Sequence, residues 1–363
     1  MRILLISPQH WGTMRVSKHH YAIELAKLGY EVYFLEPTDA SWQWNSSSFE
    51  MKPSDAKGVT LVRQKINVPY NLKFHAKVIF DIFIKRHINQ LEKQLGPFDL
   101  VWSFDLTNAM PLKYFSKKSK KIFFAADWPQ MTEAVKAAES ANLLVSVAQE
   151  FLDQYPAHYN KLLLSHGVSE CFILAGKHSY LKTDEQFRIG MSGNFLRPDI
   201  DWPILIDIIS SYPDILFECF GSYEFKNSNL GGAYDQETFE FIRKLKEAPN
   251  VVLHGMVSSE MLAIDLRRMD AFLICYDVEK DQSKGTNYHK VTEYLAYGKP
   301  IFSNYVSAYD FVGSGVTMLQ SKSKGNSNLK NLLEIFFRNN INNSFKKQIF
   351  SYNDNLKAIL GVI

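Results

Sequence analysis

The sequence predicts an α/β protein with two doubly wound, mainly parallel sheets in series. Short apolar runs of strand length alternate with segments of helical apolar period, as in β-α-β units. This alternation stops in the polar stretch at residues 174–186 and then starts again. A chain of 363 residues also has room for two domains at roughly 150 residues each.

The first half begins with a β-loop-α-β unit. A strand at residues 3–7 is followed by a polar loop, a helix that ends before Gly29, and a strand at residues 31–35. Gly29 fits a helix C-cap, where the chain can turn back into a parallel strand. Further strands are predicted at residues 100–103, 122–125 and 143–147. We therefore expect a Rossmann-like first domain over residues 1–175.

The second half repeats this pattern. Strands are predicted at residues 188–192, 216–220, 251–254, 272–276 and 300–303. Helices are predicted between them at residues 202–211, 259–269 and 288–297. Residues 321–333 are interpreted as a loop that opens into a helix. We expect a second Rossmann-like domain over residues 186–345.

The composition is that of an ordinary folded protein, with 46% hydrophobic and 22% charged residues. A net charge of +3 is too small to indicate a nucleic-acid partner, so none is expected. Cys171, Cys219 and Cys275 lack the spacing of a zinc site or disulfide framework, which favours a reducing compartment. No leader peptide follows Met1 and no apolar run approaches the ~20 residues of a membrane span. We expect a cytoplasmic protein, at most peripheral on the inner face of a membrane.

Two segments of the second half could bind a nucleotide. Gly193 and Asn194 follow a predicted strand, so their backbone N–H groups could approach a phosphate, although a tight turn without a ligand fits equally well. Lys290 and Glu293 lie three residues apart near the start of a predicted helix. Lys290 could bind a diphosphate, and Glu293 could accept hydrogen bonds from two ribose hydroxyls. The alternative is an exposed Lys–Glu pair on a solvated helix, which is the commoner meaning of an isolated pair.

Several segments together resemble those of GT-B glycosyltransferases, in the same order over nearly the whole chain. The nucleotide-sugar segment of that superfamily resembles KVTEYLAYGKPIFSN, and the other similar segments are RIGMSGNF, SHGVSECF, NVVLHGMVSSEML, FFAADWPQ and the tail FSYNDNLKAILGVI. The resemblance implies two Rossmann-like domains facing a central cleft, with residues 346–363 as a crossover helix on the first domain. It also implies that Asn287, Lys290 and Glu293 bind a nucleoside-diphosphate sugar.

The chain departs from this family at two positions. Where retaining members often carry the first acid of a Glu-x7-Glu pair, this chain has Gly285, and Tyr288 replaces a usual proline. No cluster of His or Cys ligands indicates a metal, and no cofactor is expected besides the donor substrate. Lys290 would then replace Mg²⁺ at the diphosphate. Arg197 is a second possible cation there, or an ordinary surface arginine.

The acceptor is expected at the first domain. His10, Trp11 and Arg15 follow the first strand and suit sugar stacking and hydroxyl binding, or else form a packed loop with a capping histidine. Asp127 could be the general base of an inverting enzyme, or the N-cap of a helix starting near residue 129. Asp105 is a weaker candidate of the same kind.

A basic, apolar segment at residues 71–94 could lie on an anionic membrane and meet a lipid-linked acceptor. The alternative is a core helix with a basic solvated face. A second basic run lies at residues 113–121.

Taken with the resemblance, these features imply a metal-independent hexosyltransferase of bacterial surface-polysaccharide synthesis, acting on a glycan or lipid-linked hydroxyl. A nucleotide-sugar epimerase and a catalytically silent scaffold of the same fold are the alternatives.

Overall fold

The computed structural model describes residues 1–12, 15–38, 49–66, 72–128, 132–178, 180–224, 235–281, 283–311, 313–320, 328–339 and 349–363. The chain forms two compact units. The first unit contains Met1–Ser165 together with Asn353–Ile363, and the second contains His166–Tyr352. This boundary lies earlier than the predicted one at 174–186. The reason is that Phe172, before the polar stretch, and Ala175, at its start, are buried in the core of the second unit.

The described part of the first unit contains an eight-stranded sheet. Its strands are β1 Arg2–Ile6, β2 Glu31–Thr38, β3 Phe49–Pro53, β4 Val59–Gln64, β5 Leu100–Ser103, β6 Lys120–Ala125, β7 Leu143–Ser146 and β8 Lys161–Leu163. Their order is β3-β4-β2-β1-β5-β6-β7-β8, and among these described strands only the β3–β4 pair is antiparallel. The central strands are apolar on both faces because helices cover both faces of such a sheet.

The helices of the first unit are α1 Ser17–Lys27, α2 Leu72–His75, α3 Lys77–Leu95, α4 Thr132–Ala137 and α5 Gln149–Leu152, with a 3₁₀ turn at Leu112–Tyr114. The longest, α3, buries one face in the core of this unit through residues at helical spacing, which are Phe80, Ile84, His87, Ile88, Leu91 and Leu95. The alternative of a core helix for residues 71–94 therefore describes this face of α3.

The second unit contains, in its described part, a six-stranded sheet in which every pair is parallel. Its strands are β9 Arg188–Ser192, β10 Leu216–Phe220, β11 Val251–Gly255, β12 Ala271–Ile274, β13 Ile301–Ser303 and β14 Val316–Met318. Its helices are α6 Glu170–Lys177, α7 Trp202–Ser211, α8 Gln236–Glu247, α9 Ser259–Leu266, α10 His289–Leu295 and α11 Leu329–Asn339, with a 3₁₀ turn at Ser307–Tyr309.

The last helix, α12 Tyr352–Leu360, starts at the end of the second unit and continues in the first. Asn355 holds it in the first unit, since its side-chain Nδ2 donates to the Ser165 carbonyl at 2.8 Å and to the Tyr21 hydroxyl at 3.3 Å.

Both sheets have a topological switch point. In the second unit the strand order is β11-β10-β9-β12-β13-β14, so the chain starts at β9, moves to one side, and then returns to the other side at β12. The connections that leave the carboxyl ends of β9 and β12 therefore diverge and leave a crevice, which is where doubly wound sheets bind ligands. The corresponding crevice of the first unit lies between β1 and β5.

Candidate functional site

A pocket of about 340 Å³, open to solvent, lies at the switch point of the second unit. Its walls are the carboxyl end of β9 with the following loop and the carboxyl end of β12 with the following residues; the lining residues include Ser192, Gly193, Asn194, Cys275, Tyr276 and Lys290. Three of the residues predicted from the sequence thus lie at one edge of one sheet, because parallel strands end there together.

Lys290 brings a positive charge into this pocket. Its Nζ donates to the Ser192 carbonyl and to the Tyr276 hydroxyl, both at 2.5 Å, and lies 4.8 Å from the centroid of the Tyr276 ring. The ammonium is therefore held at the end of β9 by two fixed acceptors. A cation positioned in this way can bind an anion with little further loss of side-chain freedom.

Gly193 makes room for this ammonium. Its φ of 144° is in the region that favours glycine, and a Cβ added there would lie 2.5 Å from Lys290 Nζ. The expectation that the Gly193 N–H faces a phosphate is wrong in this structure, because that N–H donates to the Phe220 carbonyl at 2.8 Å. Gly221 is needed beside it, since a Cβ at that position would overlap the Gly193 carbonyl.

Arg197 lies next to this cation. Its guanidinium forms a bidentate ion pair with the buried Asp199, contacts Asp281 at 3.3 Å, and lies 5.3 Å from the Tyr276 ring centroid. Burial acts to lower the pKa of Arg197, but the two carboxylates outweigh it and raise this pKa above its ordinary range. Tyr276 thus has two cations over its ring, Arg197 and Lys290.

Glu293 is not part of an exposed Lys–Glu pair. Its residue surface is 8% exposed, and its carboxylate Oε1 lies 3.3 Å from Nδ1 of His289, one helical turn earlier on α10. Burial raises the pKa of Glu293, while the neighbouring His289 and Lys290 act to lower it. The alternative of a solvated pair is therefore wrong, since Lys290 turns to Ser192 and Tyr276.

The two candidate amides are both buried. Asn194 accepts the Leu196 N–H at 3.0 Å with its side chain, which shapes the loop after β9. Asn287 precedes α10, and its backbone forms a hydrogen bond with the imidazole of the buried His166. The side chain of Asn194 and the backbone of Asn287 therefore help to shape the loops at this edge of the sheet.

Sequence reasoning missed three features of this site. Tyr276 follows β12 and gives no local signal, because only the sheet brings it to Lys290. The Tyr294 hydroxyl fixes the end of β9 by accepting the Ser192 N–H at 2.6 Å. Asp199 and Asp201 form an Asp-x-Asp pattern in the connection between β9 and α7; Asp199 is paired with Arg197, and Asp201 is the N-cap residue of α7.

Gly285, which replaces the first acid of the Glu-x7-Glu pair, has a φ of 62°. A Cβ there would lie 2.8 Å from the Tyr305 carbonyl oxygen, so a side chain at this position would strain the backbone and force it to shift. The nearby Asp281 carboxylate fixes the loop by accepting the Ser283 hydroxyl at 2.5 Å and the Gly285 N–H at 3.0 Å.

The first unit places Trp11 and Arg15 in a packed loop. The Trp11 indole N–H donates to Asp55 at 2.7 Å, Arg15 donates to both oxygens of the same carboxylate, and the guanidinium lies 4.3 Å from the Trp11 ring centroid. Trp11 also packs edge-on against Phe34. The packed-loop alternative therefore describes these two residues. The histidine that caps α1 is His19 and not His10, since His19 Nδ1 accepts the Val16 N–H at 3.0 Å.

The other acceptor candidates lie after β1, β5 and β6. His10 is half exposed, with Nδ1 3.8 Å from Glu36. Asp105 is buried and accepts hydrogen bonds from Thr107 and Ala109, so it stabilises its own loop.

Asp127 is exposed. Burial lowers the pKa of the Lys18 ammonium to about 8, and the charges of Asp127 and Asp105 act to raise it, so Asp127 faces a lysine. Residues 129–131, where the helix capped by Asp127 was predicted to start, lie outside the described residues.

A second face of α3 is apolar and exposed. Val78 is 75% exposed, Ile79 and Ile82 are each 49% exposed, and Phe83 is 40% exposed. We call these four residues the α3 stripe. Lys77, at the start of the helix, lines a pocket of about 310 Å³ together with Lys113 and Lys136. An apolar stripe beside basic side chains is typical of a helix that lies on an anionic surface.

Two features are absent from the described residues. Among the helices they form, none is long and apolar enough to cross a membrane. They also contain no group of three or more His, Cys, Asp or Glu side chains placed to hold a metal ion.

Comparison with solved structures identifies the fold. Sucrose-phosphate synthase from Thermosynechococcus elongatus is similar with a TM-score of 0.63 and 12% identity over 93% of this chain and 90% of that one. HepE from Anabaena, solved with UDP and glucose, gives 0.64 and 14% over 99% of both chains. WaaG, a glycosyltransferase involved in lipopolysaccharide biosynthesis, gives 0.55 and 13% over 92% and 90%.

These neighbours are GT-B glycosyltransferases, and the chain has the GT-B fold, which confirms the predicted fold class. No protein-family model matches the sequence, and no curated protein sequence matches it either.

Proposed function

We propose that the chain is a metal-independent GT-B glycosyltransferase. In this proposal a nucleoside-diphosphate sugar binds at the switch point of the second unit, and the sugar moves to a hydroxyl of a glycan or lipid-linked acceptor during bacterial surface-polysaccharide synthesis in the cytoplasm. The observation that carries the proposal is the Lys290 ammonium, held at the carboxyl edge of β9 in the pocket where a doubly wound sheet binds nucleotides.

The chemistry requires charge stabilisation at the leaving group. The bond between the anomeric carbon and the β-phosphate oxygen breaks, its electron pair leaves with the nucleoside diphosphate, and the acceptor oxygen forms the new bond. Lys290 stabilises the charge that develops on the diphosphate, with Arg197 as a second cation behind Tyr276. Glu293 accepts the ribose hydroxyls.

The acceptor side is proposed at the first unit. In an inverting reaction the acceptor proton goes to Asp127 or to His10, both of which are partly or fully exposed at the carboxyl edge of the sheet. Trp11 and Arg15, in the same loop after β1 as His10, would form a wall of this acceptor site. The α3 stripe and its neighbouring lysines support peripheral contact with an anionic membrane, which would bring a lipid-linked acceptor to this unit.

Nucleotide binding tests the donor site first. A thermal-shift screen selects the nucleoside diphosphate that raises the melting temperature, and titration calorimetry then measures its affinity. Lys290→Ala should weaken binding about 10-fold to 100-fold, because a charge-assisted contact is lost. Lys280→Ala is the matched control, since that lysine is 58% exposed and does not line the pocket. Equal affinities for wild type and K290A would contradict the donor site.

Activity then separates the candidate functions. Radiolabelled nucleotide sugars are incubated with the protein and a membrane extract. Label transferred to the extract supports the glycosyltransferase, and conversion without an acceptor indicates the epimerase. Neither product, in a protein that still binds nucleotide, indicates a silent scaffold, which the glycine at position 285 would favour.

A further inference from the structure

The environment of Glu293 assigns a role to its neighbour His289. The Glu293 carboxylate is almost completely buried, and a buried carboxylate needs a partner that supplies charge or hydrogen bonds. His289 Nδ1 lies 3.3 Å from Glu293 Oε1. Lys290 lies closer in sequence, but its Nζ is directed to Ser192 and Tyr276.

His289 is itself fixed from its other side. Its Nε2 forms a short hydrogen bond with the hydroxyl of Tyr352, which is buried, and the two rings stack with centroids 6.0 Å apart. The ring of His166 packs edge-on against His289 at 5.4 Å. The His289 imidazole therefore connects Glu293 with Tyr352, and the edge-on ring of His166 fixes the plane of that imidazole.

These contacts lie where the chain enters and leaves the second unit. His166 is the first residue of that unit and Tyr352 is the last. The two ends are joined by backbone hydrogen bonds, since Val168 N–H donates to Phe350 at 2.9 Å and Tyr352 N–H donates to Val168 at 3.3 Å. A Cβ at Gly167 would lie 2.9 Å from the Tyr352 Cα, so glycine is required for this approach.

We propose that His289 is a positioning residue for nucleotide binding: it holds the Glu293 carboxylate in its charged form and orientation, and Tyr352 fixes His289. This inference rests on the proposed donor site. It adds that the Glu293 carboxylate, proposed to bind the ribose, is supported through His289 by Tyr352, where the chain leaves the second unit.

The charges around Glu293 make the inference testable by pH. On its own helix Glu293 faces His289, Lys290 and Tyr294; Tyr297 follows the helix, and Cys171 faces it from α6. Burial raises the pKa of Tyr294, Tyr297 and Cys171, so these three groups stay neutral near pH 7. Removing His289 therefore removes one of the two neighbours that act to lower the pKa of Glu293.

Two amide variants distinguish the roles of the two imidazole nitrogens of His289. His289→Asn keeps a donor near the position of Nδ1, and His289→Gln keeps one near Nε2. We expect nucleoside-diphosphate affinity to fall in the order wild type, H289N, H289Q, with a loss of about tenfold in H289Q. Glu293 becomes protonated at higher pH in both variants, so the pH at which affinity falls on acidification should move upward. Glu293→Gln should remove this pH dependence.

The outcomes are distinct. If wild type binds no nucleoside diphosphate, the proposed function fails. If wild type binds, K290A does not, and H289Q retains wild-type affinity and pH profile, the donor site stands and the role of His289 is refuted. Equal losses in H289N and H289Q at every pH would also refute it, because they would indicate packing alone. Tyr352→Phe, which removes one hydroxyl, should weaken binding several-fold and provides the measurement if the His289 variants do not fold.

Discussion

Replacing Gly193 by alanine should displace the Lys290 ammonium from the proposed donor pocket. The added Cβ would lie 2.5 Å from Lys290 Nζ and 3.5 Å from the Tyr276 hydroxyl oxygen. A carbon and an ammonium nitrogen cannot remain at the shorter distance, since non-bonded atoms pack at about 3.5–4.0 Å. The long lysine side chain is the part that can move, so Lys290 is expected to leave its two acceptors.

The expected size of the effect has two parts. A residue with a side chain at φ 144° costs about 1–3 kcal/mol in backbone strain. The displaced ammonium loses its hydrogen bonds to Ser192 and Tyr276 and regains water, for a further net cost of about 1–2 kcal/mol. The free energy of unfolding should therefore fall by about 2–5 kcal/mol. Nucleoside-diphosphate affinity should fall about 10-fold to 100-fold.

Urea unfolding and titration calorimetry measure the two effects. Gly313→Ala is the control for strain without a clash, because Gly313 has a φ of 82° and nothing within 4 Å of an added Cβ. A double-mutant cycle tests the physical cause: G193A should change affinity little in a K290A background. Wild-type affinity in G193A, or an equal loss with and without Lys290, would refute the reasoning.

Two further predictions concern the first unit. Ile82→Glu or Phe83→Glu should reduce sedimentation with phosphatidylglycerol vesicles by about tenfold or more, because about 1.5–3 kcal/mol of apolar burial is lost. The control Ile264→Glu, at an equally exposed site in the second unit, should not reduce it. Equal sedimentation of all variants would contradict a membrane role for the α3 stripe. Burial lowers the pKa of His87 from 6.5 to about 4, so the unfolded state binds the extra proton between these values and stability falls as the solution is acidified. His87→Gln should therefore flatten the loss of unfolding free energy between about pH 6.5 and 4 by up to about 1.4 kcal/mol per pH unit, and an unchanged slope in urea unfolding would contradict this.

The parallel strands could be predicted because burial on both faces makes them continuous apolar runs. Ile3, Leu4 and Leu5 in β1 are an example, and all three are fully buried. The hairpin of β3 and β4 escaped prediction because neither strand is a continuous apolar run: in β4, Val59 and Val62 are buried, while the two residues between them are only partly buried. Helix α8 was not predicted either, although Phe241 and Leu245 have helical spacing.

The sequence could predict which residues belong to the candidate site, but not which groups those residues contact. Lys290 lies in the expected crevice, yet its acceptors come from β9 and from the residue after β12, which only the sheet brings together. The pairing of His289 with Glu293 had a sequence signal, since a histidine four residues before a glutamate lies on the same helix face. The packing of Trp11 against Arg15 and Asp55 had no sequence signal, because Asp55 lies 44 residues after Trp11 and only the fold brings it to this loop.

The two hydrogen-bonded ends of the second unit have a consequence for the order of folding. His166–Tyr352 is one continuous stretch whose first and last residues are neighbours, so it is arranged as an insertion within the first unit. During synthesis the ribosome delivers this stretch whole before it delivers residues 353–363. The first unit, in contrast, waits for Asn355 to reach Tyr21 and Ser165. The second unit, which carries the proposed donor site, is therefore complete while the first unit still lacks its last helix.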